Sequence, residues 1–216
     1  MIPLRLTSTS GAPPKILCLG AHSDDIEIGC GGSLLRLLAT GQKFDITWVV
    51  FSSSEERKRE ARNSSELFLR AAERKELIVK DFRDGFFPFE GAKIKDVFES
   101  LKGISPDLVF THNRKDAHQD HRLLAELTGN TFRNHLVLEY EIPKYDGDMG
   151  QPNVFIPLEP EAYEKKVSYL MEAFATQRDK RWFEKVTFLA LMRLRGMECN
   201  APSGYAEAFY CRKLVI

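Results

Sequence analysis

The sequence predicts an α/β protein with a Rossmann-like, doubly wound and mostly parallel sheet that carries helices on both faces. Two observations predict this fold. Short apolar segments of strand length recur along the chain, and stretches of helical length separate most of them. Strands that alternate with helices are typical of parallel sheets covered on both sides. The 216 residues suffice for one domain with a sizeable core, and no boundary or repeat divides them.

The predicted strands are the apolar segments of the chain. KILCLG at 15–20 indicates a buried strand, and FDITWVVF at 44–51 indicates a second because it combines β-branched and aromatic residues. The remaining predicted strands are 77–82, 107–111, 136–142 and 208–214. A single domain is predicted over 1–216, and its first 14 residues, rich in Ser, Thr, Pro and Gly, are expected to be a loose lead-in.

Six helical stretches are predicted between and after these strands. The first contains leucines at 34–38 and ends at Gly41, and the second is the charge-rich stretch 55–75. Apolar residues at helical spacing from Tyr163 to Phe174 indicate a helix face that packs on the core. The other predicted helices lie near 93–102, 122–132 and 182–195.

The charge balance and the cysteines narrow the class of protein. Thirty-one basic residues offset 31 acidic ones, so there is no bulk attraction to nucleic acid or to anionic membranes. A charged ligand would need a local cluster of side chains. No apolar segment has the length of a membrane span and no signal-peptide core is present, so we expect a cytoplasmic protein. The four cysteines lack C-x-x-C spacing and are expected as free thiols in a reducing compartment.

Four of the five histidines follow two of the predicted strands. His22 comes directly after the first strand, and His112, His118 and His121 follow the fourth. In doubly wound sheets, ligands bind beyond the carboxyl ends of the strands, where the strand order reverses. For a strand order of 3-2-1-4-5 this point lies between strands one and four. The polar segments GAHSDDIE and HNRKDAHQDH would then meet in one crevice.

These residue types are those of a catalytic metal site. Two imidazoles and one carboxylate are a familiar ligand set for zinc that leaves one position open for water. The neighbouring Asp24 and Asp25 can divide roles, one binding the metal and the other holding the water. His118 and His121 lie three residues apart, so one can bind metal while the other faces the substrate. His112 is interpreted as a hydrogen-bonding residue of the loop.

The same segments resemble the two signature motifs of the LmbE-like, or PIG-L, family of zinc N-deacetylases. That family has His-Pro-Asp-Asp where this chain has AHSDDIEIGCGG, and His-Pro-Asp-His where it has DAHQDH. Ser23 and Gln119 replace the two prolines, at positions that shape the loops without contributing chemistry. Weaker similarities are an R-x-x-E-A element at 57–61, the dipeptide Asp84-Gly85 and YAEAF at 205–209, so the resemblance covers most of the chain.

The resemblance implies a division of labour in the crevice. His22, Asp25 and His121 would bind Zn²⁺, or another divalent ion such as Fe²⁺. Asp24 would be the general base. His118 would stabilise the oxyanion or protonate the leaving amine.

Further residues are implied around this centre. Asp120, together with Asp116, would orient His118. Arg57 is expected in the crevice, although a solvated face of a charged helix is an equal alternative. The glycines at 29, 31 and 32 lack the spacing of a dinucleotide-binding turn and indicate close packing of a helix on a strand. The expected substrate-contacting residues are Arg57, Asp116, Tyr205 and Glu207.

The function implied by the resemblance is removal of the N-acetyl group from an amino-sugar derivative, with release of acetate. The residues alone indicate only metal-assisted hydrolysis. Two alternatives stay open: an amidase for another sugar-conjugate amide or a longer acyl group, and a non-catalytic module that binds metal or sugar. The expected partner is a small molecule or glycoconjugate with an N-acetyl amino sugar, and no oligomeric state is indicated. The stretch 143–157, rich in Pro, Gly and Asp, is a candidate substrate loop.

Overall fold

The computed structural model describes residues 11–215, which form one seven-stranded sheet and six α-helices. Most of the expected lead-in at 1–14 lies outside the described residues. The strands are β1 (Lys15–Gly20), β2 (Asp45–Val50), β3 (Arg74–Val79), β4 (Leu108–His112), β5 (Leu136–Tyr140), β6 (Val154–Pro157) and β7 (Ala206–Cys211). The helices are α1 (Asp25–Ala39), α2 (Glu55–Phe68), α3 (Gly91–Leu101), α4 (Gln119–Thr131), α5 (Pro160–Ala173) and α6 (Lys185–Glu198).

The strand order of the sheet is β3-β2-β1-β4-β5-β7-β6. The first five strands in this order are parallel, whereas β7 runs antiparallel to both β5 and β6. The order reverses between β1 and β4, so the carboxyl ends of these two strands lie side by side. The predicted α/β class and doubly wound topology are therefore confirmed, and the two polar loops leave the sheet at the same place.

Alternate residues along each central strand divide the core into two layers. In β1, Ile16 and Cys18 pack into one layer and Leu17 and Leu19 into the other, and all four side chains are buried. The first layer also contains residues of α1, α2, α5 and α6, and the second contains residues of α3 and α4. Because helices cover both faces, the central strands are apolar over most of their length.

Glycines in α1 allow the helix to lie very close to its neighbours. A Cβ atom on Gly29 would overlap the ring of Tyr140 at the end of β5, and one on Gly31 would overlap the ring of Phe68. Gly32 lies against Leu158 in the same way. Close packing of a helix on a strand is confirmed for Gly29 and for Gly32, which also lies against Glu207 of β7, whereas Gly31 packs on α2.

Several element boundaries differ from the predicted ones for local reasons. α2 ends at Phe68 rather than near residue 75, because Phe68 and Leu69 are buried in the core and the chain then crosses to β3. α1 begins earlier than the leucine cluster, at Asp25, so the polar motif leads directly into the helix. The sequence does not predict β6, which is a short, half-buried edge strand within the Pro- and Gly-rich stretch.

Two further expectations concern the state of the cysteines and the presence of membrane-spanning segments. All four cysteines carry free thiols, as expected from their spacing. Cys18, Cys30 and Cys199 are buried, whereas Cys211 is partly exposed at the end of β7. Within residues 11–215, every helix is too short or too polar to cross a bilayer.

We expect Gly29→Ala to destabilise the protein by about 1–3 kcal/mol, because the added methyl group must displace the buried ring of Tyr140. Gly91→Ala is the matched control, since its methyl group would find no atom within 4 Å. That variant should be neutral or slightly stabilising, because alanine favours helix and restricts the unfolded chain. Urea unfolding measures both variants. A wild-type midpoint for Gly29→Ala would contradict this account of the packing.

Candidate metal centre

The loop after β1 places three polar side chains at the point where the strand order reverses. Backbone hydrogen bonds from the chain beyond β2 to the carbonyls of Gly20 and Ala21 hold the loop against the sheet. His22, Asp24 and Asp25 follow, with Asp24 at the N-cap position of α1. The backbone N–H of His22 donates to Asp25 Oδ2 at 2.6 Å. The loop therefore folds back onto the first residue of the helix. This hydrogen bond fixes the backbone positions from which the three side chains extend.

The loop after β4 reaches the same place and ends at α4. Asp116 Oδ1 accepts the backbone N–H of His118 at 2.8 Å. His118 is the N-cap of α4, and its Nδ1 accepts the backbone N–H of Asp120 at 3.2 Å. His121 lies in the first helical turn and is buried. The ring centroids of His22 and His118 lie 5.0 Å apart, so the two loops face each other across the crevice.

Three side-chain atoms form a compact triangle between the two loops. His22 Nδ1 lies 3.2 Å from His121 Nε2 and 3.3 Å from Asp25 Oδ2, and the third side, from His121 Nε2 to Asp25 Oδ2, is 3.5 Å. In a tetrahedral zinc site, bonds of about 2.0–2.1 Å place neighbouring ligand atoms about 3.3 Å apart. The triangle has this size, and its donor types are those that zinc prefers. The residues present therefore fit a divalent metal ion held by three ligands.

Further potential ligand atoms surround the triangle. His22 and His121 also form a group with His118, and Asp25 and His121 form one with His112, with the ligand atoms of each group within 4.8 Å of one another. His112 Nε2 already accepts a backbone N–H at 3.0 Å. That bond makes His112 a less suitable ligand than the nitrogens of the triangle, which accept no backbone N–H from residues 11–215.

Both imidazoles of the triangle have a carboxylate beside their second nitrogen. His121 Nδ1 pairs with Asp116 Oδ2 at 2.9 Å. His22 Nε2 lies 3.0 Å from Asp84 Oδ1 and 3.5 Å from Asp120 Oδ2. Carboxylates in this position fix the tautomer and the ring orientation of metal-binding histidines. The ring of His121 is therefore held by a hydrogen bond to Asp116. The second nitrogen of His22 lies near two carboxylates but makes no hydrogen bond within residues 11–215.

The charges of the triangle are strongly coupled. Burial would raise the pKa of the Asp25 carboxyl, but His121, His112 and His22 together hold that pKa well below its usual value. Burial would lower the pKa of His22, but the neighbouring carboxylates, Asp25 first, raise it well above the usual value. A metal ion at this site would take the place of the proton on His22.

Asp24 lies beside the triangle with one oxygen held and the other unpaired. Arg57 Nη2 donates to Asp24 Oδ1 at 2.7 Å. Asp24 Oδ2 is buried and has no hydrogen-bond partner among residues 11–215. Burial raises the pKa of Asp24, Arg57 lowers it and Asp25 raises it again, and the resulting pKa is above the usual value. A buried carboxylate with one unpaired oxygen and a raised pKa suits proton transfer.

Arg57 lies at the crevice rather than on a solvated helix face. Its side chain is only 17% exposed. Its Nη1 donates to Glu60 Oε2 at 3.0 Å and to Thr176 Oγ1 at 3.2 Å. The R-x-x-E spacing places Arg57 and Glu60 on one side of α2, so both reach the same place. Substrate contact by Arg57 stays a prediction.

The side chain and the backbone of Asp120 have different partners. Its carboxylate accepts the backbone N–H groups of Gly85 at 2.6 Å and Phe87 at 3.1 Å, which anchors the turn after β3 against the site. Its backbone N–H donates to the ring of His118. That Asp120 orients His118 during the reaction stays a prediction.

Asp116 is predicted to help to orient His118 or to contact the substrate. Its side chain is buried, and Oδ2 holds the ring of His121, while Oδ1 accepts the backbone N–H of His118. Asp116 is therefore a supporting residue of the triangle, and its contact with a substrate stays a prediction.

A short strap joins segment 143–150 to the loop after β4. Lys144 Nζ lies 3.0 Å from Asp116 Oδ1 and 2.5 Å from Asp148 Oδ2. Asp148 Oδ2 also accepts the backbone N–H of Ala117 at 2.6 Å. These contacts hold the first part of the candidate substrate loop beside the residues that support the triangle.

Two expected substrate contacts of the C-terminal region are placed elsewhere. Glu207 is buried in β7, where it accepts two backbone N–H groups of α1 at 2.8 and 2.7 Å and pairs with the buried Lys166 at 2.5 Å. Its carboxylate is fully used in anchoring α1 to the sheet. Tyr205 stacks on Tyr163 with ring centroids 4.1 Å apart, away from the triangle's own contacts. Neither set of contacts involves the triangle, and substrate contact by Glu207 and by Tyr205 stays a prediction.

Sequence reasoning missed Tyr140 and the position of Asp84 beside His22, and it assigned His112 only a hydrogen bond within the loop, which His112 does make to Ala21. Tyr140 donates to the carbonyl of Leu19 at 2.6 Å and lies 3.3 Å from His112 Nε2. His112 itself stacks on His121, with ring centroids 3.9 Å apart. Asp84 is recognisable in the sequence only as part of a turn. The signal available for Tyr140 and His112 was topological, because the two pair as the last residues of neighbouring strands.

Comparison with known sequences places the chain in a family. Residues 17–132 match the family model described as PIG-L, GlcNAc-PI de-N-acetylase, over more than half of the chain and through both polar loops. The chain belongs to the PIG-L family. A relative from Escherichia coli strain K12, described as the uncharacterized deacetylase YaiS, is 28% identical over 182 residues, covering 76% of this chain and 93% of that protein.

Solved structures share the fold at low sequence identity. The conserved protein TT1542 from Thermus thermophilus has a TM-score of 0.71 at 20% identity, covering 93% of this chain and 95% of its own. The N,N'-diacetylchitobiose deacetylase from Pyrococcus horikoshii has a TM-score of 0.72 at 19% sequence identity, and the match covers 91% of this chain and 83% of that protein. GalB, the 4-carboxy-2-hydroxymuconate hydratase from Pseudomonas putida KT2440, has a TM-score of 0.72 at 18% sequence identity, and the match covers 94% of this chain and 98% of that protein. A deacetylase and a hydratase share the architecture, so the fold alone does not specify the reaction.

We expect Asp116→Asn to weaken metal binding about 10- to 100-fold, because an amide cannot hold the Nδ1–H of His121 as a carboxylate does. Asp146→Asn, a change of the same kind at an exposed aspartate of the neighbouring loop, is the control and should bind metal as the wild type does. Competition with a chromophoric chelator measures both affinities. Equal affinities in the two variants would show that Asp116 does not support the site.

Proposed function

We propose that the protein is a metal-dependent hydrolase that removes the N-acetyl group from an amino-sugar-containing substrate and releases acetate. The observation that carries the proposal is the triangle of His22, Asp25 and His121 next to the unpaired Oδ2 of Asp24. This geometry supports a metal-assisted attack by water. Membership of the PIG-L family supports an N-acetyl amide as the bond that is broken.

The metal is proposed to be Zn²⁺, held by His22, Asp25 and His121. When bound, zinc supplies Lewis acidity and lowers the pKa of water to about 7, which gives a nucleophile at neutral pH. Fe²⁺ suits the same ligand set. Asp116 holds the second nitrogen of His121, so this ligand is oriented before the metal arrives, and Asp84 Oδ1 lies 3.0 Å from the second nitrogen of His22.

Asp24 is proposed as the general base. Arg57 fixes its Oδ1, which leaves the buried Oδ2 to accept a proton from the attacking water. Its raised pKa brings the carboxyl closer to neutrality, where a base can accept and return a proton within one turnover. As the C–N bond breaks, that proton goes to the leaving amine, so that water and amide become acetic acid and the free amine with no proton gained or lost by the chain. At neutral pH these products ionise to acetate and the protonated amine.

His118 is proposed to stabilise the oxyanion. Its Nδ1 accepts the backbone N–H of Asp120, so the proton of the neutral ring is on Nε2. Burial, together with His121 and His22, lowers the pKa of His118 below its usual value, which favours this neutral form. A neutral imidazole that donates through Nε2 can hydrogen-bond the developing negative charge on the carbonyl oxygen.

An N-acetylated amino sugar is the proposed substrate class. The description of the matching family model names GlcNAc-PI, and the name of the Pyrococcus horikoshii deacetylase contains N,N'-diacetylchitobiose. Two alternatives remain: an amidase for another sugar-conjugate amide or a longer acyl group, and a non-catalytic module that binds metal or sugar.

The four free thiols suit a reducing compartment, and we propose that the protein is located in the cytoplasm.

We expect acetate release from at least one N-acetylglucosamine derivative when zinc is supplied, and loss of that release in the presence of a chelator. A screen of N-acetyl, N-butyryl and other N-acyl glucosamine derivatives, with coupled detection of the free acid, tests this. Release of only longer acids would favour the amidase. Absence of any release from a zinc-loaded protein would favour the binding module.

We expect Asp24→Asn to keep zinc and to lower kcat about 10²–10⁴-fold, because the amide cannot accept the proton of the water. His121→Ala should instead lose zinc, since it removes one corner of the triangle. Metal analysis of both purified variants, beside kinetics at saturating zinc, separates the two effects. Near-native turnover of Asp24→Asn would rule out the base assignment.

A further inference from the structure

Two motifs of the sequence, GCGG at 29–32 and YAEAF at 205–209, meet at an ion pair between α1, α5 and β7. Lys166 of α5 and Glu207 of β7 are 2% and 4% exposed, and their charged atoms lie 2.5 Å apart. Neither motif supplies a residue of the triangle, and the family match at 17–132 does not extend to either member of the pair. Metal binding by the triangle therefore does not by itself explain this buried ion pair.

The ion pair contacts both members of one hydrogen-bonding position of α1. Lys166 Nζ donates to the carbonyl of Ile28 at 2.6 Å, and Glu207 Oε1 accepts the N–H of Gly32 at 2.8 Å. In an α-helix the N–H of residue 32 points at the carbonyl of residue 28. Glu207 Oε2 also accepts the N–H of Ser33 at 2.7 Å. The pair therefore holds α1 both along its axis and around it, directly after the first helical turn.

Glycine at position 32 allows the carboxylate to come this close to the helix. A Cβ atom on Gly32 would lie 2.6 Å from Leu158 Cδ1 and 3.0 Å from Glu207 Oε1. The backbone of α1 is thus bare at the place where Glu207 reaches it. Because such a close-packed contact has little room to shift, the position of the helix relative to β7 is set here.

One residue separates the ion pair from the proposed base. The N–H of Ile28 donates to the carbonyl of Asp24 at 3.0 Å, and the carbonyl of Ile28 accepts the Lys166 ammonium. Hydrogen bonds in such a chain polarise one another, and a charged donor makes the stronger bond. A continuous path of polar contacts therefore joins the N-cap of α1 to β7. Asp25, the first residue of the same helix, moves with this turn.

Stability alone does not account for two buried charges at this place. Replacement of a buried ion pair by apolar side chains of similar volume is often neutral or stabilising, whereas fixing the register of packed elements is a better-attested role. A metal centre needs such control, because its groups must be held within about 0.5 Å of the productive geometry. A small shift of the first turn of α1 would misplace Asp24 and Asp25 together.

We propose that Lys166 and Glu207 are positioning residues for the metal centre, which hold the first turn of α1 so that Asp25 reaches the metal and Asp24 reaches the attacking water. The inference deepens the proposed function and rests on it. It gives the GCGG and YAEAF motifs one shared role, the seating of α1 on β7. The role requires no contact of either residue with the metal or the substrate.

The test replaces the ion pair by neutral side chains of similar size in the double variant Lys166→Met/Glu207→Gln, which leaves neither partner charged. We expect its affinity for Zn²⁺, measured by competition with a chromophoric chelator, to fall about 3- to 30-fold. The visible absorption of bound Co²⁺ reports ligand geometry and should change as well. With N-acetylglucosamine derivatives, kcat should fall by a larger factor than KM changes, because the base is displaced while substrate contacts outside α1 are kept.

Two control variants separate positioning from a general loss of stability. Lys165→Met/Glu161→Gln makes the same two changes at an exposed ion pair of the same helix, α5. Leu101→Ala removes a buried side chain of α3 from the core layer that does not contain α1, so it lowers stability without changing the contacts of α1. Both controls should keep the wild-type Zn²⁺ affinity and Co²⁺ spectrum, and thermal unfolding measures the stability that each variant has lost.

Glu207→Asp is the second test variant, and it decides the question if the double variant does not fold. It keeps the charge but draws the carboxylate back by one methylene group, so we expect a smaller loss of Zn²⁺ affinity than in the double variant and a larger one than in either control. Wild-type affinity and spectrum in the folded double variant, or in Glu207→Asp if the double variant does not fold, would overturn the inference. An equal loss of affinity in Leu101→Ala would also overturn it.

Failure of the proposed function is distinguishable from failure of this inference, because metal affinity and the Co²⁺ spectrum need no turnover. If the wild type binds Zn²⁺ but hydrolyses none of the N-acyl glucosamine derivatives, the deacetylase is ruled out. A weakened and spectrally changed site in the double variant would then still uphold the positioning role. If the wild type binds no divalent metal ion, both proposals are overturned.

Discussion

The carboxylate of Asp25 is the point on which both halves of the site depend. Its Oδ2 accepts the backbone N–H of His22 and lies 3.2 to 3.5 Å from the ring nitrogens of His22, His112 and His121. One loop comes from β1 and the other from β4, and this oxygen is where they converge. A buried carboxylate is tolerated only when it is paired and hydrogen-bonded. The charge of Asp25 therefore depends on the groups that the two loops supply, and the two loops are held together by their contacts with Asp25.

The main residues of this site could be predicted from the sequence, because each of the two motifs lies within a few consecutive residues. The motif after β1 and the motif after β4 each combine histidine and aspartate within a few residues, and the alternation of strands and helices predicted that both leave the sheet at its switch point. The buried apolar strands were recognisable for the same reason. β6 was not, since a short edge strand beside Gly and Pro has little pattern of its own.

The supporting residues could not be assigned in this way. Asp116 and Asp120 flank His118 in sequence, yet the start of α4 sends one carboxylate to His121 and the other to the turn after β3. Glu207 belongs to a segment that resembles a family signature, and its partners in α1 lie about 175 residues away in the chain. Which neighbour a side chain contacts depends on backbone direction at a helix end or on long-range packing, and neither appears in residue spacing.

The strap formed by Lys144 and Asp148 has a thermodynamic consequence for the metal centre. Asp116 stands between a triangle ligand on one side and the ammonium of Lys144 on the other, so the two sets of contacts share one carboxylate. Binding events that share a group are linked, and the linkage is reciprocal. A substrate that displaces segment 143–150, and so alters the contacts of Asp116, would change the affinity for the metal, and the metal would then change the affinity for that substrate by the same factor.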